Sequence, residues 1–178
     1  MRTLFVLLIV PLALAQGASP ALAATSAQLL ACHKMLDRQG RGFVKFVANK
    51  VGGCADKVVA CNLASEIDGV SPSACLSSAT TACAPIATQV GDQKAQRAAK
   101  IVMACGLVPF AEVQQFVAGL GFFEVVTACS ATTINDLVDC VLDDIRCDAE
   151  KHLFLADPRA QQSLTAAGVA ASFPCVAP

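Results

Sequence analysis

Tryptophan and tyrosine are absent from this 178-residue chain, and its nine aromatic residues are all phenylalanine. Charge is also scarce: 13 basic and 14 acidic residues make up 15% of the sequence and leave a net charge of −1. Without a basic excess there is no electrostatic footprint for a phosphate backbone, which excludes a nucleic-acid binder. No two cysteines stand closer than seven positions. C-x-x-C is therefore missing, and with it a thioredoxin-like redox centre, a zinc ribbon and the C-x-x-C-H of covalent haem. G-x-S-x-G, H-E-x-x-H and a phosphate-binding glycine loop are missing too. No cofactor is implied. The acidic pair Asp143-Asp144 consists of adjacent residues, which point in different directions on a helix and make a poor acid/base couple. These absences read as a non-enzyme.

What is present begins with an export signal. Arg2 supplies a positive charge, Leu4 to Ala15 form a short apolar run, and Ala21-Leu22-Ala23 is a small-residue cleavage motif. Twelve apolar residues interrupted by Pro11 are too few to span a bilayer, which takes about 20. Residues 1–24 are read as the signal peptide and 25–178 as a single disulfide-rich helical domain, secreted or periplasmic. Leu29-Leu30-Ala31-Cys32 resembles a lipoprotein box, but the polar and small stretch from Gln16 to Gln28 separates it from the apolar run. No segment of the mature chain reads as a membrane span; Val113 to Phe123 is apolar but carries Gln114 and Gln115 between Glu112 and Glu124.

Hydrophobic residues make up 55% of the chain, which suggests an ample core until they are sorted by size. From residue 25 onward, 27 are alanine and 10 cysteine, against 44 Val, Leu, Ile, Met and Phe. Small residues pack closely but bury little area each. The cysteines compensate.

All ten (Cys32, Cys54, Cys61, Cys75, Cys83, Cys105, Cys129, Cys140, Cys147, Cys175) lie beyond the signal. An even number in an exported chain predicts five disulfides. Cys54 and Cys61 are seven positions apart, as are Cys140 and Cys147, and Cys75 and Cys83 are eight apart. On a helix those intervals lie on one face about 10–12 Å along the axis. A disulfide accepts Cα separations of about 4.4–6.8 Å, so no such pair closes on itself. Each pair should staple its helix to a neighbour at two heights. An antiparallel hairpin with nested rungs Cys54–Cys83 and Cys61–Cys75, closed near Gly69 to Ser73, satisfies this. It is one of about 945 pairings that ten cysteines allow.

Periodicity predicts an all-α fold, a small disulfide-stapled bundle of about six or seven helices. The first is capped by Ser26 and runs to about Val51, weakened and kinked at Gly40 and Gly42 and ended by Gly52-Gly53. A second carries Cys54, Val58 and Cys61, and Ser71-Pro72 opens a third. Asp92 caps a fourth, which stops at Cys105-Gly106. Pro109 starts a short one to about Leu120. Thr133, with Asp136 at the third position, begins the longest, to about Ala156, and Asp157-Pro158 caps a last one ending at Gly168. In the long helix, Ile134, Val138, Val141, Leu142, Ile145 and Ala149 share one face. Cys140 and Cys147 project to the other side, so the helix should sit centrally, with Asp139, Asp143, Arg146 and Glu150 exposed. A weak duplication pairs Ala31-Cys32, Phe43-Val44 and Cys54 with Ala104-Cys105, Phe116-Val117 and Cys129.

Of two histidines, His33 reads as solvent-facing. His152 projects onto the apolar face of the long helix with Asp148 one turn before it, which makes Asp148 and His152 a weak candidate metal pair and, more simply, a packed core or edge histidine. Phe110, Phe116, Phe122 and Phe123 are the candidate lining of an apolar-ligand cavity, or else plain core.

Cys32-His33-Lys34, Gly40-Arg41-Gly42-Phe43-Val44 and Cys54 together resemble the opening motif of a group of cysteine-rich exported proteins from environmental bacteria. Val108-Pro109-Phe110, Asp139-Cys140-Val141, Arg146-Cys147 and Pro158-Arg159-Ala160 resemble its later motifs, so the likeness spans about Cys32 to Gly168. This chain is less basic around its first cysteines, with Asp37, Gln39 and Ala48 there. The group has no assigned activity. The resemblance implies an exported helical domain and transfers no functional residue. Two roles follow as expectations: a structural or protein-interaction module with an unknown protein partner, or a carrier of apolar small molecules between its helices.

Overall fold

A computed structural model describes residues 23–69, 71–115, 119–170, 173 and 175, which form seven helices and no strand. The apolar run and all but the end of the cleavage motif lie outside the described residues, as does Phe116. Helix α1 (Ser26–Asp68) is followed by α2 (Ser73–Cys83), α3 (Ile86–Cys105), α4 (Phe110–Gln114), α5 (Phe123–Ala128), α6 (Ile134–Ala156) and α7 (Pro158–Ala166).

The 43 residues of α1 make a rod of about 65 Å. Thr25, not Ser26, caps it. The Gln28 N–H donates to Thr25 Oγ1 at 3.2 Å, and the Thr25 N–H donates back to Gln28 Oε1 at 2.7 Å. It ends at Gly69, whose φ of 65° suits a glycine. The predicted stop at Gly52-Gly53 does not occur, and Gly40 and Gly42 do not interrupt the helix. Two of these glycines serve close approach instead. A Cβ on Gly52 would stand 3.3 Å from Leu153 Cδ1, and one on Gly40 would stand 3.3 Å from Ile145 Cδ1. Burying α6 against α1 here offsets the helix-propensity cost of about 1 kcal/mol per glycine. Tertiary packing overrides the local breaker.

Because those two contacts advance together along both chains, α6 runs parallel to α1. Helix α3 runs antiparallel to α1, closed by Cys32–Cys105 with Cα atoms 4.6 Å apart. Helix α2 folds back on α1 through Cys54–Cys83 and Cys61–Cys75, at 5.4 and 5.6 Å. These are the nested rungs that helical spacing favoured. Cys140 and Cys147 bond outward at two heights, to Cys129 and Cys175. All ten cysteines are paired. The linked residues are 11 to 73 positions apart. On loop-closure entropy each cross-link taken singly destabilises the unfolded chain by about 3–4 kcal/mol.

Helix α6 sits centrally, as its two-sided pattern predicts, against α1, α3, α5 and α7. Helix α1 is a second shared neighbour. It contacts α2, α3, α6 and α7, and the core is a seam along it. Phe43, Val47, Val51 and Val58 meet Val90 and Ile101 of α3, Leu137, Val138 and Leu142 of α6, and Leu164 of α7, all buried. Other boundaries also move. Helix α3 starts at Ile86 after Pro85, which leaves Asp92 exposed mid-helix. Helix α4 ends at Gln114 rather than Leu120. There the returning chain caps it: Leu120 N–H donates to the Glu112 carbonyl and Phe122 N–H to the Val113 carbonyl, at 3.2 and 3.0 Å. The short α5 has too few turns to show a period. Residues 31–54 lie within one helix, whereas the described part of 104–129 spans the end of α3, α4 and α5, so the suggested duplication has no structural counterpart.

Helix α6 begins as read, with Thr133 as cap and Asp136 completing the capping box. Hydrogen bonding from Thr133 and Thr132 holds the Asp136 carboxyl below its ordinary value of 3.8. A lowered folded pKa means that the contribution is complete above that value and is lost as pH falls through the folded one. The melting temperatures of wild type and Asp136→Asn should therefore differ at pH 6 and converge toward pH 2; a constant difference contradicts this. The neighbouring glycines Gly52 and Gly53 should respond oppositely. Gly53 has nothing within 4 Å of a built Cβ, so Gly53→Ala gains about 0.5–1 kcal/mol. Gly52→Leu overpacks the α6 contact and loses about 1–3 kcal/mol, measured by chemical denaturation.

Candidate functional site

Parallel packing seats Ile145 and Leu153 of α6 over glycines of α1 and leaves the flanking short side chains uncovered. Two open hollows result, of about 350 and 470 Å³, which meet at Val44 and Ile145. Together they form one groove. On the α1 side its floor is Leu36, Gly40, Val44 and Ala48, a row of i, i+4 steps; on the α6 side it is Val141, Ile145, Ala149 and Leu153. Phe122 lines one end. The rims are polar: His33, Asp37 and Arg41 on one side, Asp148 and His152 on the other. Asp37 and Arg41 form an ion pair within their rim. Val44, 43% exposed, is the large apolar residue most open in the floor.

The candidate residues distribute as follows. His33 is exposed, as expected. His152 is not a core residue; it is exposed at the edge of the apolar face, and Asp148 is exposed too. The buried stripe of α6 runs through Leu137, Val138, Leu142, Ala149, Glu150 and Phe154, which turns His152 to the rim. Among the described residues the one cluster with three metal-ligand atoms is Cys129, Cys140 and Asp144, and its sulfurs are joined in a disulfide. Asp148 and His152 thus have no third ligand there. Of the phenylalanines, Phe110 and Phe122 pack half-buried against the core and Phe123 is 54% exposed. They do not converge on one lining; Phe122 alone of the described three reaches the groove.

Three polar arrangements lay beyond sequence reading. Lys94 of α3 bridges Asp139 and Asp143 of α6 at 3.1 and 2.8 Å. Burial works to lower its pKa, but the hydrogen bonds and charges of Asp143 and Asp139 outweigh this, and the net direction is upward. Arg97 lies over Gly42 and donates to the backbone carbonyl and side-chain oxygen of Gln39, both at 3.2 Å. A Cβ on Gly42 would come within 2.5 Å of Arg97 Nη1, so this glycine makes room for a guanidinium.

The third corrects an expectation. Glu150, read as exposed, is fully buried. Its Oε1 accepts from Arg146 Nε at 2.8 Å and its Oε2 from the Cys175 N–H at 3.3 Å. A hydrophobic projection cannot identify a carboxylate placed inside to accept from a backbone N–H 25 positions away. The Cys147–Cys175 disulfide and this hydrogen bond secure the tail together. Removing one partner of a buried pair leaves an uncompensated charge. Arg146→Met should therefore destabilise the fold by about 3–5 kcal/mol in denaturant unfolding, and Arg146→Met with Glu150→Gln by less than Arg146→Met alone.

No protein-family model, curated protein or solved structure matches this chain, and a function has to be argued from the groove itself.

Proposed function

We propose that this protein is an exported, non-catalytic helical module that works through surface contact, receiving an apolar-faced helical segment of a protein partner along the α1/α6 groove. Five disulfides fit an oxidising compartment. Among the described residues no helix is long and apolar enough to cross a membrane. The observation that carries the reading is the groove: an apolar floor between charged rims, open along its length. From Leu36 to Ala48 the floor runs about 18 Å, or three helical turns. Its rows at i, i+4 spacing suit the ridges of a third helix. Rims that carry both signs favour an amphipathic segment over a strongly charged one.

A second reading keeps the same groove but fills it with an apolar small molecule. Phe122 favours it, by offering an aromatic wall at one end. A photo-crosslinking residue at Val44, exposed in the floor, distinguishes the two in cells that produce the full chain. The first reading expects a protein adduct at position 44 that is lost on Ala48→Arg, with none at Leu155, which is 78% exposed outside the groove. A lipid-sized adduct supports the second. Equal labelling at 44 and 155 rejects both.

A further inference from the structure

Two segments 88 positions apart meet where the described chain begins. The backbone nitrogen of Ala24 lies 3.0 Å from Oε1 and 3.2 Å from Oε2 of Glu112, on α4. The carboxylate is half-buried and has no lysine, arginine or histidine in ion-pair range among the described residues. An amide nitrogen has a single hydrogen to divide between two oxygens. An ammonium nitrogen in the same place has three, together with the charge that a carboxylate lacking a cation calls for. Local electrostatics add a reason for an acid here. The first turn of α1 contains no acidic residue, although the N-terminal end of a helix favours a negative charge. Glu112 supplies it from another helix.

Ala24 is also the residue that follows Ala21-Leu22-Ala23, the small-residue cleavage motif. We propose that export processing cuts the bond between Ala23 and Ala24, and that Glu112 is the receptor for the amino terminus this creates. The proposal rests on the export reading, and it places the cut one residue earlier than the 24/25 boundary. In the step, an export endopeptidase adds water across the Ala23–Ala24 amide. The water oxygen stays with Ala23 as a carboxylate, and Ala24 leaves with an amine that is protonated at neutral pH. Before the cut, Glu112 holds a neutral N–H; afterwards it holds a charged donor in a charge-assisted pair, the stronger kind. Processing thereby clamps the start of α1 to α4. The precursor has only the neutral hydrogen bond. Its folded state is weaker by the difference between the two until the leader is gone.

Four chains produced from the full-length gene with its own leader provide the test: wild type and Glu112→Gln, each with the natural junction or with Gly-Ser-Gly-Ser inserted between Ala23 and Ala24. The insertion moves the new amine away while leaving the cleavage motif intact. Sequencing of the exported wild type should begin at Ala24. Glu112→Gln should lower its melting temperature by about 2–4 °C. The insertion with Glu112 intact should cause a similar drop, and adding Glu112→Gln to the insertion should cause little more. Equal effects of Glu112→Gln in both backgrounds overturn the proposal, as does a first residue other than Ala24. An exported chain cut elsewhere removes the role of Glu112 and keeps export. A chain retained whole in the cytoplasm removes the export reading itself.

Discussion

Three of the five disulfides end on one helix, and α6 packs against glycines of that same helix. This dependence on α1 follows from composition. A chain whose apolar residues are nearly half alanine and cysteine obtains little from each buried side chain. It must seat helices closely and fasten them. Gly40 and Gly52 allow the first against α6, and Cys32, Cys54 and Cys61 supply the second against α3 and α2. An interrupted α1 would have left the α2 hairpin and the α3/α6 packing on separate pieces.

The groove is a consequence of the same geometry. Where α6 rests on a glycine its Ile145 or Leu153 side chain lies against the α1 backbone, and the side chains one turn away, Val44 and Ala48, are too short to fill the space alongside. Opposite this opening, Lys94 holds α3 to α6 through Asp139 and Asp143, so both edges of α6 are fixed. Two carboxylates each accept from a distant backbone nitrogen: Glu112 from Ala24, Glu150 from Cys175. A thin core gains from such anchoring of segments far apart in the chain.

Legibility in the sequence followed the range of the interaction. Local rules succeeded wherever a neighbour in sequence decides the outcome: the Thr133/Asp136 box, the Asp157-Pro158 start of α7, and the hairpin whose cysteine intervals admit nested rungs. They failed where a distant segment decides. Gly52-Gly53 reads as a helix stop only if Leu153 is unknown. Glu150 projects to the polar side of α6, yet the tail comes back to cover it. His152 projects toward the apolar side but meets the groove, not the core. The candidate phenylalanines followed the same pattern, since side-chain type marks what prefers burial and says nothing about convergence.

By itself the sequence determined the fold class, the two nested rungs of the α1/α2 hairpin and the place of most helix starts, because helical periodicity and capping act within a few residues. The partners of the other six cysteines came from the tertiary structure. That all ten cysteines are paired followed from their even count. Only the tertiary structure decided that α1 is continuous, that it runs parallel to α6, and that a groove opens between them. Those outcomes depend on what stands within 4 Å of a missing Cβ or beside a buried carboxylate. Such neighbours lie about a hundred positions away in the chain for Gly40 and Gly52, and 88 for Ala24 and Glu112.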